Sequence, residues 1–178
     1  MKYRLFVPFA LLICFLFFPV YAAKKGISRS SQGTRVALII GNSDYGAEVG
    51  PLRNPVNDAR VMAETLERVG FQVTMLEDVE YRNMREAVRS FGKNLRESDA
   101  ALFYFSGHGV YFEGDNYLMP LKAEIEIPRH IKYEALSENE VLAEMEGGTK
   151  DRVNIVIVDA CRSNLVTRSF RSAQKGLV

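Results

Sequence analysis

"NIVIVDACRSN", residues 154–164, is the stretch on which the fold turns. Ile155 to Val158 are four apolar, β-branched residues, the pattern of a strand buried on both faces. The chain then becomes polar at once, through Asp159, Ala160, Cys161, Arg162, Ser163 and Asn164. In open α/β sheets, sites lie at the carboxyl ends of the strands. A thiol just past such a strand is therefore in a place where chemistry is done.

Upstream, three more apolar runs read as strands: "VALIIG" (36–41), "FQVTML" (71–76) and "AALFYF" (100–105). Helical patterns lie between them. From Asp58 to Val69, the residues Val61, Thr65, Leu66 and Val69 recur on one face, and Gly70 supplies the stop. From Arg82 to Arg96, Met84, Val88, Phe91 and Leu95 do the same. "SENE" (137–140) is a capping box, with Ser137 capping and Glu140 reaching back. It opens a helix carrying Val141, Leu142 and Met145, which Gly147-Gly148 ends. Residues 110–135 read as irregular, with a small β-turn region around "GDNYLMP". Alternation of this kind predicts an α/β fold, a mainly parallel sheet with helices on both faces. The polar tips "GNSDY", "SGHGVY" and "DACRSN" should then emerge on one rim, bringing His108 and Cys161 together.

Composition sets bounds on the whole. The 178 residues are 47% hydrophobic and 25% charged, room for one globular domain and no sign of disorder. Net charge is +1 without single-sign blocks, so a nucleic-acid footprint is not indicated. Residues 1–23 differ in kind: Lys2 and Arg4 precede an apolar run from Leu5 to Val20, and small residues follow in "VYAA". That is the pattern of a secretory signal cleaved near Ala22 or Ala23, which implies a secreted or periplasmic protein. The alternative is an uncleaved membrane anchor over residues 5–23. Residues 24–34, "KKGISRSSQGT", read as a linker. Without Lys2 and Arg4 the 23 basic residues fall to 21 against 22 acidic ones, a net of −1. Cys14 leaves with the signal, so Cys161 becomes the single thiol, unable to form an internal disulfide and open to a reactive role.

Thiolate, not thiol, is the nucleophile, and a nearby imidazole can take the proton and later return it to a leaving group. Cys161 and His108 supply these parts. The glycines of "SGHG" allow close backbone approach and let the ring swing outward. The backbone N–H groups of Gly109 and Cys161 could serve a developing oxyanion. Taken singly, such residues are more often a small buried hydrophobe and a turn histidine.

A resemblance adds to this reading. "RVALIIGNSDY", "PLRNPVNDARVMAETLERVGFQV", "FYFSGHGVY", "NYLMPLKA" and "IVIVDACRSN" together resemble the caspase-like cysteine peptidases, in their bacterial metacaspase and paracaspase form, from Arg35 to Val178. The caspase signature is Q-A-C-[RQG]-G with a histidine about 50 residues upstream. Here Asp159 replaces the glutamine and Ser163 the glycine, and the aspartate is what similar metacaspases and paracaspases carry. The resemblance implies a three-layer αβα sandwich with Cys161 as nucleophile and His108 as base. It also implies a six-stranded sheet, of which four strands are read here, over a catalytic domain at 35–164. The last two strands belong to a smaller portion expected after the basic loop at 165–178, as a further part of the frame or as a partner. Arg168, Arg171 and Lys175 in that loop are candidate self-processing points.

Asp159 and Cys161 project to one side of an extended segment, and a carboxylate beside a thiolate makes better sense facing a substrate cation, the alternative for Asp159 being a turn residue. In similar metacaspases the aspartate of a matching "NDA", here Asp58, lines the same pocket. Cleavage of a polypeptide after Arg or Lys is the expectation. An acid-specific pocket built on Arg53 is the alternative. No cofactor or metal is expected, with calcium dependence left open and unsupported: the calcium-dependent metacaspases carry clustered acids after the histidine segment, and only Glu113 and Asp115 follow it here. Two other classes compete: a non-catalytic caspase-like binding or assembly module, and an unrelated doubly wound ligand-binding domain.

Overall fold

The computed structural model describes residues 33–47, 49–147 and 151–162, the last two by backbone alone. The expected signal, most of the linker and the basic segment 165–178 lie outside the described residues. In chain order the elements are β1 (Arg35–Gly41), α1 (Pro55–Arg68), β2 (Phe71–Glu77), α2 (Tyr81–Asn94), β3 (Ala100–Phe112), β4 (Asp115–Leu118), α3 (Ile131–Glu134), β5 (Leu136–Ser137), α4 (Glu138–Glu146) and β6 (Val153–Arg162). Strands β2, β1, β3 and β6 run side by side and parallel; β4 returns antiparallel to β3, and β5 antiparallel to β4.

The three layers follow from the period-two alternation of the strands. Val36, Leu38 and Ile40 of β1 and Phe103 and Phe105 of β3 face α2 and α4. Ala37, Ile39, Leu102 and Tyr104, the residues between them, face α1. Continuous apolar runs are what two covered faces require.

Several expectations are corrected. The described sheet has six strands, not four, because residues 110–135 are less irregular than their composition suggests. β3 runs on to Phe112, turns through Glu113 (φ 47°) and Gly114 (φ 96°), and returns as β4. Two successive left-handed residues make the tight turn that matches strand twist.

The buried face of α1 is Ala59, Ala63 and Leu66, while Val61 and Val69 are exposed. Small residues win because the helix lies so close to the sheet: a Cβ on Gly41 would stand 2.7 Å from that of Ala59. The α2 face is as read, with Met84, Val88, Phe91 and Leu95 all buried. The capping box of α4 is half formed. Ser137 Oγ accepts the Asn139 N–H at 3.1 Å, but Glu140 pairs with Arg85 at 2.7 Å instead of reaching back.

Finally, β6 is not buried on both faces. Ile155 and Ile157 are 38% and 37% exposed, because α1 covers β1 and β3 and, among the described residues, β6 pairs with β3 alone.

Candidate active site

His108 and Cys161 occupy the same register position on neighbouring strands, β3 and β6. Adjacent strands lie about 4.8 Å apart, so the two backbones are direct neighbours. The pairing grows from residue 100 against 153 without a break, through Ser106 against Asp159. Both residues lie inside strands, whereas polar tips past the strand ends were expected. His108 is buried, at 7% exposure, so its ring does not swing outward.

The histidine is held on several sides. Its backbone N–H donates to the Tyr45 hydroxyl at 3.0 Å, and its carbonyl accepts the Met119 N–H at 3.0 Å. Its Nε2 stands 3.0 Å from the carbonyl oxygen of Gly50. A carbonyl only accepts, so this contact requires the proton on Nε2 and leaves Nδ1 of the neutral ring as the acceptor. The Tyr45 ring meets the imidazole edge to face, centroids 4.5 Å apart at 65°. Burial raises the Tyr45 phenol well above its ordinary range, so it acts as a neutral donor and acceptor.

Behind this cradle, Asn42 is wholly buried. Its side-chain amide donates to Val79 and Met119 carbonyls at 3.3 and 3.2 Å and accepts the Val79 N–H at 3.0 Å. Asn42 thereby ties the ends of β1, β2 and β4 together beneath the rim.

The remaining candidates stand around this pair. Gly109 is shared by two ladders, opposite Leu118 on β4 and Arg162 on β6. Asp159 is exposed near the end of β6, and Asp58 is exposed in the first turn of α1. Both carboxylates bear on one phenol. Tyr104 is raised above its usual range first by burial, and also by the charges of Asp159 and Asp58, with its hydrogen bond to Ser106 opposing. Arg53 is exposed.

Glu113 is taken by Lys132 at 2.5 Å, and Asp115 accepts from Asn139 at 2.5 Å. Among the described residues no cluster of three His, Cys, Asp or Glu could hold a metal, and no helix is long and apolar enough to cross a membrane.

Sequence reasoning missed Tyr45, Asn42 and Gly50. The polar tip "GNSDY" was visible at the rim, but nothing in it says that its tyrosine folds back onto β3. A backbone carbonyl such as that of Gly50 carries no signature at all.

Comparison with known proteins gives a consistent result. The family model for the caspase domain of peptidase C14 matches residues 34–176. The human mucosa-associated lymphoid tissue lymphoma translocation protein 1 is 30% identical over 129 residues, 72% of this chain and 15% of its own length. Metacaspase III c of Phaeodactylum tricornutum is 34% identical over 97 residues, 49% of this chain and 29% of its own. The chain thus spans only a small part of these relatives. Among solved structures, a Geobacter sulfurreducens protein shares the fold with a TM-score of 0.59 at 18% identity, covering 80% of this chain and 63% of that one.

Proposed function

Because this chain belongs to the caspase-domain family of peptidases, peptidase C14, we propose that it is a cysteine endopeptidase in which Cys161 is the nucleophile and His108 the base, cutting polypeptides after Arg or Lys. The observation that carries the reading is the register of His108 against Cys161. The Gly50 carbonyl supports it by fixing the proton on Nε2.

The thiol proton passes to Nδ1 of His108, and the thiolate adds to the substrate carbonyl carbon. The oxyanion takes hydrogen bonds from the N–H groups of Gly109 and Cys161. Collapse breaks the C–N bond, and the amine leaves with the proton from His108. Water then attacks the thioester, giving its proton back through His108 and releasing the acid and the thiol. No cofactor enters these steps.

Asp159 and Asp58 receive the substrate cation. The reading draws support from their exposure, Asp159 near the end of β6 and Asp58 in the first turn of α1. Replacing either by Asn is expected to raise KM for Arg and Lys substrates, with kcat less affected; a peptide panel cleaved after Asp and not after Arg or Lys would refute the specificity. Export through a signal cleaved near Ala22 is part of the proposal, checked by N-terminal sequencing of the mature protein.

The decisive experiment is labelling with an arginyl peptide carrying a thiol-reactive group. Wild type should be modified at Cys161, and Cys161→Ala should not be modified. An unlabelled wild type favours the second reading, a non-catalytic assembly module, to which the exposed apolar side chains of β6 lend support. The same edge is where a smaller C-terminal portion would add its strands.

A further inference from the structure

We propose that Tyr45 is a positioning residue for His108, fixing through its hydroxyl and ring edge where the imidazole stands relative to position 161. The proposal rests on the reading of His108 as the base.

A tyrosine that only filled space could be a phenylalanine. Here the side chain is 4% exposed, and its hydroxyl is used twice. It donates to the Met119 carbonyl at 2.8 Å and accepts the His108 N–H at 3.0 Å. Met119 in turn donates its N–H to the His108 carbonyl at 3.0 Å. Both backbone polar groups of the histidine therefore lead to one closed pair, Tyr45 and Met119.

The ring of Tyr45 stands against the imidazole at 4.5 Å, and Gly50, from the same loop after β1, accepts from Nε2. One loop grips the histidine by its backbone and by its ring. The residue before the histidine is consistent with this grip: a Cβ at Gly107 would fall 2.6 Å from the Tyr45 hydroxyl, and 2.8 Å from the Phe105 ring. The glycine there makes room for an oxygen.

Displacement of a catalytic group by about 1 Å costs on the order of 10²-fold in rate. Tyr45→Phe in the full chain keeps the ring and removes only the oxygen. The expected result is a fall in kcat of about 10²-fold on an arginyl peptide with KM little changed. Nitrogen-15 NMR of the His108 ring should move from the single Nε2–H tautomer of wild type to an average of the two. A merely structural tyrosine would leave the tautomer alone.

The NMR readout needs no turnover, so it decides the proposal even where the wild type fails to react with the arginyl probe and the dyad reading falls. An unchanged kcat in an active protein, or an unchanged tautomer, overturns the proposal. Should Tyr45→Phe fail to fold, amide hydrogen exchange of the wild type decides: the His108 N–H held by the buried hydroxyl is expected to be strongly protected, and a His108 N–H exchanging as fast as exposed loop amides overturns the proposal.

Discussion

The two nitrogens of a histidine ring are distinct, and a hydrogen bond made by one decides which of them carries the proton. In this protein a backbone carbonyl, that of Gly50, does so. On the proposed reading of His108 as the base, His108→Ala should lower kcat by about 10² to 10⁴-fold, the range for losing a positioned base, measured on the same arginyl peptide. Beneath the histidine, Asn42→Ala would orphan the buried Val79 N–H and withdraw a donor from Met119. Destabilisation of about 1–3 kcal/mol is expected in denaturant unfolding. The candidate residues of the site could be picked out because thiol and imidazole are rare side chains that follow apolar runs closely in the sequence. Their supports were not legible, since Asn42 and Tyr45 act through folded contacts 37 to 77 residues away in sequence.

At the scale of elements, what could be read depended on which force set the face. In α2 bulky apolar residues fill the core and the spacing of Met84, Val88 and Phe91 betrays them. In α1 close approach selects Ala59 and Ala63, so hydrophobicity alone pointed to Val61. Arg152 is another element-level device hidden in a loop. Its guanidinium donates to the carbonyls of Leu95 at 2.8 Å, Gly147 at 2.7 Å and Met145, closing the end of α4 where β6 begins. Arg152→Leu should cost about 1.5–3 kcal/mol, as charged hydrogen bonds do, seen as a lower denaturant midpoint with unchanged slope.

The Arg60–Glu77 pair, at 2.5 Å, links α1 to β2 at the surface. Its hydrogen bond with Arg60 lowers the Glu77 carboxyl from its ordinary 4.5. A depressed carboxyl stabilises the fold above 4.5 and loses that contribution as pH falls through the folded value. Arg60→Met should therefore flatten stability against pH in the window below 4.5, with a small amplitude because the pair is partly solvated.

For the whole molecule, the layered α/β architecture was legible from four apolar runs, while the hairpin of β3 and β4 and the exposure of β6 were not. A continuous apolar run announces covered faces without saying what covers them. Val153, Ile155, Ile157 and Val158 are all exposed. Such an edge favours association, and Ile157→Lys should reduce concentration-dependent self-association by light scattering while leaving the unfolding midpoint nearly unchanged.

The unbroken alignment of β3 with β6 has a genetic consequence. Position 161 faces position 108 only because nine residues of one strand are counted off against nine of the other. Loss of a single codon from either would shift the match by one step of about 3.3 Å and turn it to the opposite side of the sheet. Gaps and insertions tolerated in living populations should accordingly gather at the Glu113-Gly114 bend and spare both segments, so that the spacing within each is as much a determinant of the site as the two side chains themselves.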